Sequence, residues 1–233
     1  MRELPPPLPP ERRTVGQVVA EAIRAYGDRF WACLPLGLPL AAADQLSVHR
    51  TAAAQALVLW ALAPAFAGAY LWACRIVLDA RPTTVAAIAA VLVWLPFPAL
   101  RAFFVLPGLA WLALLGLAVP AGMADRVGFR EALVRGRRLG LADYPHALGS
   151  LCALVVVVGL SANVLGAILH SQGDAGLRVG VFLADLVLSP LLYLGGALLY
   201  ADQAARLRSR GDAGVRPPVD ADAAGRPDAQ VEP

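Results

Sequence analysis

Few residues in this chain have the type and placement to do chemistry in an apolar setting, and Asp185 is the foremost of them. It is the one charge within the run from Val179 to Ala201. A carboxylate carried into hydrocarbon costs about 2.5–3.5 kcal/mol even on a lenient insertion scale, so it either couples to protons or substrate or is paired across helices. Pairing is the commoner role, and Arg101 is the cation best placed to supply it. Arg178 lies seven residues earlier on the same helical run, about 10 Å along its axis, and points more naturally to solvent. The histidines, His49, His146 and His170, fall in different predicted loops, whereas zinc needs four converging ligands. Cys33, Cys74 and Cys152 are widely spaced within or beside apolar runs and read as small packing residues, not as a disulfide framework or a metal knuckle. HExxH, a phosphate-binding Walker loop, a dinucleotide glycine turn and a GxSxG elbow are all missing. The chain therefore reads as non-enzymatic, with no catalytic residue, metal or cofactor assigned.

The elements that carry these residues follow from composition. Hydrophobic residues make up 58% of the chain and charged ones 16%, and the mean hydropathy is +0.62. Soluble domains sit near 45–50% apolar and about 25% charged, so a water-soluble fold has nowhere to hide this surface. A bilayer core needs about 20 apolar residues in helix. Residues 51–74, 82–100, 102–124 and 147–169 are charge-free, and 179–201 carries only Asp185. Residues 82–124 would make about 64 Å of helix, twice the bilayer core, and are expected to turn near Arg101. The run from Phe30 to Ala43 is shorter and holds Pro35 and Pro39. Arginine placement decides whether it crosses: if it does, 17 arginines flank the cytoplasmic ends against 3 outside, and if not, 12 against 8. The expectation is an all-α polytopic membrane bundle of about six transmembrane helices with both termini cytoplasmic.

Two further segments have interfacial character. Thr14 and Gln17 have capping-box spacing, and Val15, Val18, Val19, Ala22, Ile23, Tyr26 and Phe30 then recur at helical period. A second amphipathic helix is expected from about Arg126 to Leu141. Its arginines, Arg126, Arg130, Arg135, Arg137 and Arg138, are candidate contacts for anionic lipid headgroups, each worth about 1 kcal/mol near the surface. The Pro-rich residues 1–13 and the polar 209–233 are expected to be disordered, leaving 14–208 as the membrane domain. The first segment lacks the apolar stretch of a cleavable signal. All 20 basic residues are arginine, which with the abundant Ala, Gly and Pro suggests a high-G+C bacterial source and hence the plasma membrane. Despite a net charge of +3, the arginines sit between apolar runs and not on a soluble face, which excludes a nucleic-acid partner. Ala61, Ala65, Ala69 and Ala73 form a small-residue ridge that packs within the chain or in a homo-oligomer. Ser161 and Asn163 are expected to bond a neighbouring helix.

The stretch VLPGLAWLALLGLAVPAGMADRVGFREALVRGRRL, Val105 to Leu139, carries Pro107 and Gly108 at the start of a span, Pro120 near its close, Asp125, and an Ala-Leu-x-Arg helix (Ala132, Leu133, Arg135). With VGQVVAEAIRAYGDRF at Val15 to Phe30, Ser189-Pro190, and Leu199-Tyr200-Ala201-Asp202, it resembles the membrane-domain family found fused to some glycerophosphodiester phosphodiesterases and also as stand-alone bacterial membrane proteins. The likeness covers about residues 14–208. Gly136 stands where a Ser commonly follows the Arg, and Tyr144 where a Trp is usual. The resemblance implies the fold and no activity, since a phosphodiesterase barrel of some 250 residues has no room here. The leading expectation is a non-enzymatic membrane protein engaging membrane lipids or a membrane-protein partner. The alternative is a small secondary transporter using Asp185.

Overall fold

The computed structural model describes residues 9–103, 105–169 and 173–215. Among the described residues the chain is helical, with no strand. Four helices are long and apolar enough to cross a membrane, Ala52–Leu78, Val105–Ala124, Tyr144–Ile168 and Ala175–Arg210, and Thr84–Leu100 is a shorter apolar one. Large apolar side chains stay open on the outside, among them Trp31, Leu57, Leu106, Leu160 and Ile168, as suits a surface solvated by lipid and not by water.

Helix α1, Val15–Asp28, begins where the Gln17 side chain accepts the Thr14 N–H at 2.9 Å. The stretch after it is broken by its prolines into α2, Phe30–Cys33, a 3₁₀ turn, Leu34–Gly37, and α3, Leu38–Ser47. Each Pro falls in the first turn of a new piece, where its missing N–H costs nothing. Helix α4, Ala52–Leu78, is uninterrupted and ends at Asp79, which takes the left-handed conformation at φ 49°. The expected turn near Arg101 forms. Helices α5, Thr84–Trp94, and α6, Phe97–Phe103, run out, and α7, Val105–Leu115, and α8, Ala118–Ala124, run back. Within this hairpin α6 packs on α7 and α5 on α8. The break before α6 exposes backbone carbonyls, and two indoles satisfy them: Trp111 donates to Val93 at 2.9 Å and Trp60 to Leu95 at 3.0 Å.

Helix α9, Phe129–Ala142, is followed by α10, Tyr144–Leu169, α11, Gly173–Leu188, and α12, Pro190–Val215. Helix α12 is the axis of the bundle, packed by α1, α4, α9 and α10. Trp94 forms the aromatic centre, stacked on Phe66 at 5.5 Å and touching Phe97 and Tyr193 at 5.2 and 5.9 Å. Close helix approach uses glycine. A Cβ at Gly136 would stand 2.4 Å from the Ala118 Cα, so α9 and α8 meet backbone to backbone and no Ser fits at this position.

Several local expectations change. Helix α12 continues past residue 208 to Val215, because Arg206 and Arg210 tie it to Asp143 and to the Ala142 carbonyl. Residues 10–13 are likewise docked on α12 by a 3₁₀ turn and by Arg13. The apolar face of α1 is covered by protein: Val18 and Ala22 are buried against α10 and α12, and Ile23 stays half exposed. Helix α9 starts at Phe129, since Arg126 is left-handed at φ 51° and Gly128 takes the cap position. Of the alanine ridge, Ala69 and Ala73 are buried and Ala61 and Ala65 exposed. The segments 1–8 and 216–233 lie outside the described residues.

Candidate functional site

The polar side chains of the bundle collect at its two ends, and an elongated cavity joins them. At the end where α4 finishes and α5 begins, residues from five parts of the chain form a belt. Asp202, on α12 and fully buried, accepts a hydrogen bond from the Arg13 guanidinium at 3.1 Å. Its second oxygen lies 4.0 Å from Nε2 of His146. One turn further on, the Arg206 guanidinium donates to Asp143 at 2.5 Å and to the Arg13 carbonyl at 2.7 Å. Gln203, also fully buried, accepts the Asp143 N–H at 3.0 Å and donates to the Asp143 carbonyl at 3.2 Å. That exchange covers the non-helical junction between α9 and α10, whose backbone groups have no helical partner. Beside it, the Tyr200 hydroxyl donates to Asp125 at 3.1 Å, and Nε of Arg135 reaches the same carboxylate oxygen at 2.9 Å. Each of the three carboxylates thus has a guanidinium beside it, which offsets part of the cost of its burial.

The cavity has a volume of about 450 Å³. On α10 its lining runs from Ala147 to Asn163, about 24 Å of helix at 1.5 Å per residue. Its walls are apolar and aromatic, with Phe66, Trp94, Leu109, Leu112, Leu151 and Tyr193 among them. The Tyr70 hydroxyl, also in the wall, is spent on the carbonyls of Gly116 and Gly196 at 3.3 and 3.4 Å. Polar groups gather at the end away from the belt, where Asp44, Asn163 and Asp185 line it. Sites of this size and character hold small apolar or amphipathic molecules, oriented by a few polar groups.

Asp185 is thus 6% exposed and faces the cavity's polar end. The side chain of Arg101, its expected partner, lies outside the described residues. Arg178 is exposed, and its carbonyl accepts Nε2 of Gln45 at 2.9 Å. Asn163 bonds its own helix, donating to the Gly159 carbonyl at 2.7 Å, and not a neighbouring one. The candidate headgroup arginines divide. Arg135 is held by Asp125, while Arg126, Arg130, Arg137 and Arg138 are exposed. No group of three or more metal-ligating side chains forms among the described residues.

Reading the sequence in one dimension missed the belt. Arg13 falls in a Pro-rich stretch that looks disordered, and Asp143, His146 and Gln203 each look like ordinary polar residues at a helix end. The available signal was that Asp125, Arg135, Tyr200 and Asp202 all fall in the stretches on which the family resemblance rests; the first three are in contact, and the fourth lies two residues beyond Tyr200 on α12. Compared with protein-family models, with curated proteins and with solved structures, the chain matches none.

Proposed function

We propose that this chain is a non-enzymatic, multi-pass protein of a bacterial plasma membrane, a stand-alone relative of the membrane-domain family it resembles, that holds the apolar chain of a lipid-like amphiphile inside its bundle. Six crossings are proposed: α2 with α3, α4, α5 with α6, α7 with α8, α10, and α11 with α12. Helices α1 and α9 lie along the cytoplasmic surface. The 17 to 3 arginine split supports placing both termini and the belt inside.

The cavity carries the reading. Its lining follows α10 for about 24 Å, most of the roughly 30 Å hydrocarbon thickness of a bilayer, and its carboxylate and amide side chains gather at one end. An extended acyl chain with a hydrogen-bond-donating head against Asp44, Asn163 and Asp185 matches that polarity. Protein extracted in mild detergent and analysed by native mass spectrometry should carry a defined amphiphile. Val158→Phe, which enlarges a buried wall residue, should lose it while keeping its helical circular dichroism. Wild-type protein free of any amphiphile, or equal retention by Val158→Phe, would refute the reading. The topology is tested with reporters active only outside the cytoplasm, fused after Val48, where signal is expected, and after Val215, where silence is.

A second reading is favoured by Asp185, a carboxylate buried beside the cavity. On it the chain is a small secondary transporter. Loss of proton-coupled uptake in Asp185→Asn vesicles at unchanged stability would select transport over holding.

A further inference from the structure

At the belt end, between the α4–α5 connection and the α8–α9 connection, a cleft of about 310 Å³ is lined by Arg81, Thr83, Val85, Gly122 and Arg126, among others. It shares no lining residue with the cavity. Its floor is fixed by Thr83, whose hydroxyl donates to the Gly122 carbonyl at 3.1 Å and accepts the Ala86 N–H at 3.1 Å. One side chain thereby caps α5 and ties the two connections together. The first N–H groups of α5 have no intrahelical acceptor, and the positive end of the helix dipole lies there.

The two guanidiniums set this place apart from the belt. Arg13, Arg135 and Arg206 each hold a carboxylate, whereas neither Arg81 nor Arg126 is paired with one among the described residues. The neighbouring Asp125 is taken up by Arg135 and Tyr200. Arg126 also holds a left-handed backbone at φ 51°, a conformation bulky residues seldom adopt. Two exposed guanidiniums without a carboxylate partner, carried by separate connections that line one cleft beside a helix start, suit a phosphate group, which accepts planar, paired hydrogen bonds.

We propose that this cleft binds a phosphate group through Arg81 and Arg126. Two sources supply that chemistry, an anionic phospholipid headgroup and free inorganic phosphate.

The test uses the full chain in nanodiscs of phosphatidylcholine alone or mixed with phosphatidylglycerol, with tightly held lipid counted by native mass spectrometry. Inorganic phosphate is titrated separately, with thermal stability in detergent as the readout. The variants are Arg81→Gln, Arg126→Gln, the pair together, and Arg50→Gln, an exposed arginine just before α4 at the end of the bundle away from the cleft. Binding should weaken about fivefold for each cleft arginine removed, the factor that about 1 kcal/mol per arginine represents. Arg50→Gln should bind as wild type does. Arg81→Lys with Arg126→Lys, which keeps both charges, should retain part of the binding and shows that any loss is not misfolding. If phosphatidylglycerol is retained and inorganic phosphate has no effect, the ligand is a headgroup. If inorganic phosphate alone stabilises wild type and not the double variant, the ligand is the free anion. The proposal is overturned if neither probe binds, if the double glutamine variant binds like wild type, or if Arg50→Gln loses as much as the cleft variants.

Discussion

Replacing Gly136 by Ala tests the packing that places the arginines of α9. The added Cβ would sit 2.4 Å from both N and Cα of Ala118 and 2.7 Å from its Cβ. Ordinary carbon contacts lie near 3.5–4.0 Å, so α9 must draw back from α8 by about 1 Å. The obstacle is backbone and cannot swing aside, and overpacking of this kind costs about 1–3 kcal/mol. Against this, Ala is favoured over Gly inside a helix by about 0.8–1.0 kcal/mol. With backbone as the obstacle the cost lies in the upper part of that range, and a net loss of up to about 2 kcal/mol is expected. Gly68 in α4 is the control, because a Cβ there meets nothing within 4 Å. Gly68→Ala should therefore keep the propensity gain and raise stability by up to about 1 kcal/mol. Thermal unfolding of wild type and both variants in the same mild detergent, followed by circular dichroism, reads the two signs side by side. Equal shifts for the two variants, or a gain at Gly136, would refute the argument that α8 and α9 touch at backbone distance.

Two more predictions concern the belt. Asp202→Asn removes the charge opposite Arg13 and should cost about 2–3 kcal/mol, below the 3–5 kcal/mol of a fully enclosed pair because the Arg13 side chain is 18% exposed and can turn to water. In a double-mutant cycle with Arg13→Gln the combined loss should be smaller than the sum of the two; strict additivity would mean the contact carries no coupling. Arg135→Gln should lower stability by about 0.5–1 kcal/mol through its bond to Asp125, while Arg138→Gln on the exposed face of the same helix should leave it unchanged. Equal melting shifts for those two would argue against the Asp125 contact.

What could be read in advance is what a chain writes in one dimension. Charge-free runs at 51–74 and 147–169, and the run 179–201 with Asp185 alone, announced the apolar helices Ala52–Leu78, Tyr144–Ile168 and Ala175–Arg210, and a lone arginine midway through residues 82–124 announced their hairpin. Thr14 and Gln17 marked the start of α1 to the residue. Hydropathy was less informative where helices break, as between Phe30 and Ser47, because proline position and not composition sets the length of each piece. It said nothing of which polar residues meet. Arg13 and Asp202 are 189 positions apart, and only the packing of α1 along α12 brings them together. The cavity had no signature at all, since its walls are made of the same Leu, Val and aromatic residues that fill a solid core.

The belt and the cavity prove to be one construction. Val18, on α1, is buried in a cluster with Leu109, Ala113, Leu117, Ala147, Leu151 and Leu199, and every one of those six also lines the cavity. Helix α1 therefore packs behind the α10 and α12 walls of the cavity, although none of its own residues lines it. What holds α1 there is polar: Arg13, just ahead of its first turn, is fixed to Asp202 by its side chain and to Arg206 by its carbonyl. The apolar face of α1 alone is short, with only Val18 and Ala22 buried, and burying two small side chains contributes little against the entropy of ordering the segment. The buried charge pair supplies the register that this face lacks, since a salt bridge at depth is poor at adding stability but effective at choosing among arrangements of similar packing. Charge that looked like a mark of orientation when read along the chain thus also helps to decide, in three dimensions, where the amphipathic helix docks behind the cavity walls.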